Sequence, residues 1–177
     1  MRIRIPTGSL KFLVAWLGVF LFRLIPFRAP NVEPMLAVVM PLSKRFGALP
    51  SFLFGFLGIA LYDAVTSGWG IWTLVTALSY GALGIASRAY FKHRAASRLN
   101  FVGFGIVATL LYDAATGLTI GPLFDGQSFA VAFVGQIPFT ALHLLGTIIF
   151  ALVLSPALYR WVVENKALEL ETRYTLA

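Results

Sequence analysis

The feature that most constrains this chain is the length of its apolar runs. "LVAWLGVFLF", "FLFGFLGIAL", "FVGFGIVATLL" and "LLGTIIFALVL" each extend through flanking residues that carry almost no charge. A helix needs about 20 mostly apolar residues to cross a bilayer. Six segments approach or reach that requirement: 10–27, 34–45, 48–64, 69–88, 99–116 and 138–161. They are continuous runs, whereas the spans of a β-barrel are short and alternate in polarity, so the expected fold is an all-α integral membrane protein. Of the 177 residues, 59% are hydrophobic and 12% charged, and the mean hydropathy is +0.84. A soluble domain is rarely much more than half apolar, so composition points the same way.

The second segment is short. Helix from Pro34 to Arg45 would reach about 18 Å at the helical rise, against a hydrocarbon core of about 30 Å. Charge decides in favour of counting it. Loops on the cytoplasmic side collect Lys and Arg. If all six segments cross and the N-terminus is inside, twelve of the fourteen basic residues face the cytoplasm. These are Arg2, Arg4, Lys11, Lys44, Arg45, Arg88, Lys92, Arg94, Arg98, Arg160, Lys166 and Arg173. Without the second crossing, the basic cluster "RAYFKHRAASR" would fall outside. The expectation is therefore six transmembrane helices at 1–163 with cytoplasmic termini, a thin or tilted second helix, and a short polar tail at 164–177, in the cell membrane. The start "MRIRIP" is basic like a signal peptide, but no clear small-residue cleavage site follows and the nearest candidate, Ala29, precedes Pro30, so the first run reads as a retained span. Gln136 and Pro138 divide the long stretch 128–163, which places "SFAVAFVG" in an outer loop or short lid helix before the sixth span.

This topology brings polar residues to one face. "LYDAVTSG" at 61–68 and "LYDAATG" at 111–117 nearly repeat one another, and each ends a helix running outward. Asp63 and Asp113 then meet Glu33 and Asp125 at the outer surface, with Arg28, Asn31, Trp69, Trp72 and Gln127 on the same loops. A mostly apolar pocket with a few orienting polar groups is the usual form of a small-molecule site. Each residue also has a plainer reading: the aspartates as helix ends, the tryptophans as an interfacial aromatic belt, Arg23 snorkelling to headgroups or pairing with an outer acid. His143 lies inside the sixth span, where ionisable side chains usually face the bundle interior or a cavity. His93, in a basic loop, reads as solvated surface. Gly55, Gly58, Ala77, Gly81 and Gly84 read as close helix packing.

Catalysis is not expected. The chain has no phosphate-binding loop, no His-Glu-x-x-His helix and no Gly-x-Ser-x-Gly elbow. It has no cysteine, and its two histidines fall on opposite membrane faces, so neither a metal site nor a cofactor is expected. The net charge of +7 follows the positive-inside pattern and does not call for nucleic acid.

Over nearly its whole length, beginning at "RLIPFRAPNVEPMLAVVMPLSKRFG" and continuing through "LYDAVTSG", "TGLTIGPLFDG" and "GQIPFTALHLLG", the chain resembles the substrate-binding (S) components of energy-coupling factor transporters. The resemblance implies a six-helix protein that captures a vitamin or related micronutrient from outside. It implies a pocket built from the first, third and fifth loops, and partners in the form of a transmembrane coupling protein and two cytoplasmic ATPases. The loops in question hold Arg28, Asn31, Glu33, Asp63, Trp69, Trp72, Asp113, Asp125 and Gln127. Members often carry Ala-x-x-x-Ala on the first helix for docking; here only Ala15-x-x-Gly18 approaches it. Nickel and cobalt members use an N-terminal histidine, absent from "MRIRIP", which points to an organic substrate. The aromatic residues Tyr62, Trp69, Trp72 and Tyr112 would suit a planar ring. The rival readings are an MreD-like membrane scaffold, which needs no outward polar cavity, and a self-sufficient secondary transporter, which needs an ionisable coupling site near the midplane.

The charge-derived topology is tested by single cysteines in this cysteine-free chain. An impermeant thiol reagent applied to intact cells is expected to label Gly126→Cys and to leave Ala95→Cys unlabelled. The reverse pattern would invert the topology.

Overall fold

The computed structural model describes residues 8–169. Arg2, Arg4, Arg173 and the rest of 1–7 and 170–177 lie outside the described residues. The elements are α1 (Ser9–Arg23), α2 (Met35–Phe46), α3 (Ala48–Thr66), α4 (Ile71–Phe91), α5 (Arg98–Gly117), the short α6 (Ile120–Phe124) and α7 (Phe129–Leu158). A π-helical turn, Tyr159–Val163, and a 3₁₀ turn, Lys166–Leu168, follow. No strand occurs among the described residues. Three stretches are long and apolar enough to cross a membrane: Ala48–Thr66, Arg98–Phe124 and Phe129–Val163.

α2 is the centre of the molecule. Nine consecutive residues, Met35 to Ser43, are buried, so no face of this helix is left for lipid or water. It packs against α1, α3, α4, α5 and α7. Enclosure explains why so short a helix is tolerated. A lipid-exposed span must cover the full hydrocarbon thickness, but a helix wrapped in protein need only fill the space between its neighbours. Polar backbone beyond its ends is acceptable at membrane depth because it is buried in protein.

The neighbours are held to α2 and to each other by short polar contacts and by small residues. Ser155 Oγ donates to the Ala37 carbonyl at 2.7 Å, Ser43 and Ser87 hydroxyls meet at 2.9 Å, and Thr109 meets Thr147 at 2.9 Å. The α3–α4 contact is the most intimate. A Cβ built on Gly84 would lie 2.1 Å from the Ser51 carbonyl oxygen, and one on Gly55 would lie 2.5 Å from that of Tyr80. The predicted close packing thus holds for backbone against backbone at Gly55 and Gly84, while a Cβ on Gly81 would meet the Phe52 ring and one on Gly58 the Met35 side chain of α2.

At the C-terminal end of α2 the basic residues gather. Arg88 donates to the Lys44 carbonyl at 2.6 Å and the Ser43 carbonyl at 3.4 Å, and Lys44 Nζ reaches the carbonyls of Phe91 and Arg94. Cations at the carbonyl end of a helix are favoured by its dipole and unpaired oxygens. Lys11 and Arg45 both pair with Glu169. The tail beyond Val163 therefore returns to this end of the bundle, and its described part is docked there. Apolar side chains cover the outside: Leu13, Val14, Leu17 and Leu21 on α1, and Leu145, Ile149, Leu152 and Val153 on α7, are all exposed.

Two expectations about helix ends need correction. The first helix stops at Arg23, short of residue 27. α7 is not divided at Gln136 and Pro138; it runs unbroken for 30 residues from Phe129, so "SFAVAFVG" is its first turns. Proline removes one backbone N–H, which a long helix can lose while keeping the rest of its ladder. Gln136 faces outward from the axis to Thr140 Oγ1 at 3.2 Å. At about 45 Å by the helical rise, α7 is longer than a hydrocarbon core of about 30 Å.

Gly84→Ala is expected to lower stability by about 1–3 kcal/mol, the usual cost of overpacking, because the new methyl meets backbone oxygen. Gly18→Ala, with nothing within 4 Å of the added atom, is expected to be neutral or slightly stabilising. Thermal midpoints of the purified variants in detergent compare the two.

Candidate functional site

The chain leaves α1 at Arg23 and reaches α2 through a compact loop. Phe27 and Asn31 have positive φ values of 61° and 62°. Asn tolerates this region better than most residues, and the strained turn folds the loop back into the bundle. Gly146 of α7 makes the approach possible, since a Cβ there would sit 3.0 Å from the Val32 Cα. The loop delivers Glu33 to the N-terminal end of α2, where it is buried at 8% exposure.

Glu33 is bonded on both oxygens. One pairs with Arg23, itself 8% exposed; the other accepts from the Tyr80 hydroxyl at 2.8 Å. Arg23 also lies over the Tyr62 ring at 4.5 Å. The Tyr80 hydroxyl is 3.3 Å from His143 Nε2, and His143 Nδ1 is 2.8 Å from Asp113 Oδ1. A continuous polar chain thus runs from Arg23 through Glu33, Tyr80 and His143 to Asp113, joining α1, α2, α4, α7 and α5. Tyr80 has one proton to give. With that proton on the Glu33 bond, the contact to Nε2 is completed only by an N–H on that ring nitrogen.

A cavity of about 140 Å³ opens beside this chain. Its walls include Arg23, Arg28, Asn31, Glu33, Asp63, Trp72, Tyr80, Tyr112 and His143, with Ile59 and Phe139 as apolar surface. Three donors of its lining residues, Arg23 Nε, Arg28 Nη1 and Asn31 Nδ2, are buried without a partner among the described residues; so is Asp113 Oδ2, which lies outside the lining. Buried polar atoms are nearly always satisfied; here three donors of residues lining one cavity are not.

The sequence-derived residues divide into three groups. Arg28, Asn31, Glu33, Asp63, Trp72 and His143 line this inner cavity, and Asp113 stands behind His143. Asp125 and Gln127 line a separate outer cavity of about 280 Å³ between α5, α6 and α7. Trp72 and Phe139 belong to both cavities and form the partition between them. Trp69 lines neither of the two; it is 63% exposed, and its indole N–H caps the Ala60 carbonyl at 2.9 Å.

The aspartates do not end their helices at the surface. α3 continues to Thr66 and α5 to Gly117, and both carboxylates are buried, at 6% and 1% exposure. Their side chains reach across to other helices, Asp63 to the Thr73 hydroxyl at 2.7 Å and Asp113 to His143. Helix termination accounts for neither. His143 lies about 21 Å along α7 from its first turn, deeper than a helix beginning at Pro138 would place it.

Sequence reasoning missed Tyr80, Thr73, Thr76 and Phe139. A tyrosine inside an apolar span carries a hydroxyl that must find a partner, and that signal was present in "ALSYGAL". Its partner, 47 positions away, was not legible.

The fold and site together define an all-helical protein with three helices long and apolar enough to cross a membrane and a buried, charge-lined cavity among them. The chain matches no family model, no curated protein and no solved structure. Among the described residues no group of three His, Asp or Glu side chains could hold a metal ion.

Removing one partner of a buried ion pair leaves an uncompensated charge and costs about 3–5 kcal/mol. Glu33→Gln is expected to destabilise the protein by an amount of that order, and Arg23→Met/Glu33→Leu to recover much of the loss. Thermal unfolding of the single and double variants measures both.

Proposed function

We propose that this protein captures a small organic molecule at one membrane face and hands it to the other, as the substrate-binding subunit of an energy-coupling factor type importer. The observation that carries the capture reading is the inner cavity, with its three unpartnered buried donors and its walls of tyrosine and tryptophan. A bundle kept only for scaffolding gains nothing from such a cavity, and the unsatisfied groups lower its stability. In this reading α1, α2, α3, α4, α5 and α7 all cross the membrane. The basic end, at the C-terminus of α2, faces the cytoplasm, and the end holding the cavity faces outward. α1, α2 and α4 are too short or too polar to be recognised as spans individually; they cross as parts of the bundle that encloses α2.

The resemblance to S components supplies the remainder of the proposal: a transmembrane coupling protein and two ATPases as partners, and a vitamin-like cargo. Energy would come from those partners, since the cavity offers binding groups and no nucleotide-binding loop stands in the sequence.

The polar chain favours a second reading. Ionisable side chains at membrane depth also mark proton paths, and the hydrogen-bonded chain through Asp113, His143 and Tyr80 supplies the groups for a proton-transfer step. A self-sufficient transporter would use that step to couple uptake to a proton gradient.

Reconstitution separates the readings. Small molecules released from the purified protein by denaturation are to be identified by mass spectrometry and then used as radiolabelled substrate in proteoliposomes. The expected result is binding by the protein alone and accumulation only with the coupling protein and ATPases. Accumulation by the protein alone, driven by a proton gradient and lost in His143→Gln, would establish the second reading. Absence of any retained small molecule from the native protein would count against capture altogether.

A further inference from the structure

The charges around the inner cavity can be paired off. Arg23 is matched by Glu33, and Asp113 is bonded to His143 at 2.8 Å. Two charges are left over. Arg28 uses Nε on the Arg23 carbonyl at 3.2 Å and leaves Nη1 buried and unpartnered. Asp63 is held by a hydroxyl, that of Thr73, and not by a cation. Both line the same cavity, yet among the described residues neither belongs to any ion pair. Opposite charges in a low-dielectric space attract strongly; here the fold holds them apart, Arg28 by its loop and Asp63 by Thr73 of α4.

We propose that the cavity takes a small zwitterion: an anionic group, of the carboxylate kind, received by Arg28 and Asn31, and a protonated amine received by Asp63. This rests on the capture reading above. Two features of the site fit each end. At the anionic end, Asn31 Nδ2 and Arg23 Nε add unpartnered donors beside Arg28, and guanidinium with amide N–H groups suits a planar carboxylate. At the cationic end, the Asp63 carboxyl group accepts from a neutral donor, the Thr73 hydroxyl. The same cavity is lined by Trp72, Tyr80, Tyr112 and Phe139, aromatic surface suited to a flat, apolar middle. A purely anionic ligand would leave Asp63 uncompensated, and a purely cationic one would leave Arg28 so.

Three compounds sharing one ring dissect the two ends: 4-(aminomethyl)benzoate carries both charges, benzoate only the anion, benzylamine only the cation. Calorimetric titration into the full-length protein in detergent is expected to give a Kd for 4-(aminomethyl)benzoate at least tenfold below those of the other two. Arg28→Gln should raise it to the level of benzylamine, and Asp63→Asn to the level of benzoate. Each variant should keep wild-type affinity for the compound that addresses its intact end, which shows that it is folded. Equal affinity for the zwitterion and either singly charged compound would overturn the proposal. So would failure of all three to bind while a molecule of a different charge class is released from the purified protein, a result that leaves the capture reading standing. Failure of all three with no molecule retained would remove both.

Discussion

Glu33 is where the architecture and the chemistry of this protein meet. Its carboxylate ends the loop from α1, sits at the N-terminal end of α2, and bonds Arg23 and Tyr80 on different helices. An ionised carboxylate buried to this degree is tolerable only if both oxygens are satisfied and the charge is matched. The sidedness of the bundle follows from meeting that condition. Arg23 must turn inward at the end of α1, α4 must present Tyr80 at one height, and the loop must bend through Asn31 to bring the acid in. His143 and Asp113 extend the same chain to α7 and α5, so five elements are set in register around one polar line.

That line costs stability, and the enclosure of α2 is what makes the cost bearable. With nine consecutive residues of the central helix buried, much of the apolar core is formed along α2 and away from the polar end. The small residues of α3 and α4 let those helices approach until backbone nearly touches side chain, which supplies dispersion contacts that a membrane setting rewards more than hydrophobic burial. The other end of α2 meets its own requirement by different means, with Arg88 and Lys44 bonding free carbonyls. One end of the bundle is thus saturated with partners and the other keeps donors in reserve. That asymmetry is the structural basis for reading one end as a support and the other as a site.

The two aspartates show how far a local pattern reaches. Their near-identical settings, Leu-Tyr-Asp-Ala, mark both as unusual in an apolar chain. In space they differ: Asp63 bonds a hydroxyl and faces the cavity, whereas Asp113 bonds an imidazole and stands behind it. The partners, Thr73 and His143, come from other helices, and no spacing within either motif could distinguish them. Trp69 and Trp72 separate in the same way, three residues apart but one capping α3 and the other lining the cavity.

Several properties were determined by the sequence alone, because they depend on composition and order along the chain. The all-helical class follows from continuous apolar runs, the close packing of α3 on α4 from its glycines, and the concentration of ionisable residues near a few helix ends from their positions in the sequence. Tertiary structure decided the rest. It made α2 a central helix, since a short apolar segment reads alike whether lipid or protein surrounds it. It carried α7 through Pro138, since the loss of one hydrogen bond is settled by the packing of the whole helix. It selected which charges pair and which stay free, since Arg23 and Glu33, or His143 and Asp113, are matched by the folding of separate helices onto one another. Coulomb attraction falls off with distance in space, and distance along the chain does not report it.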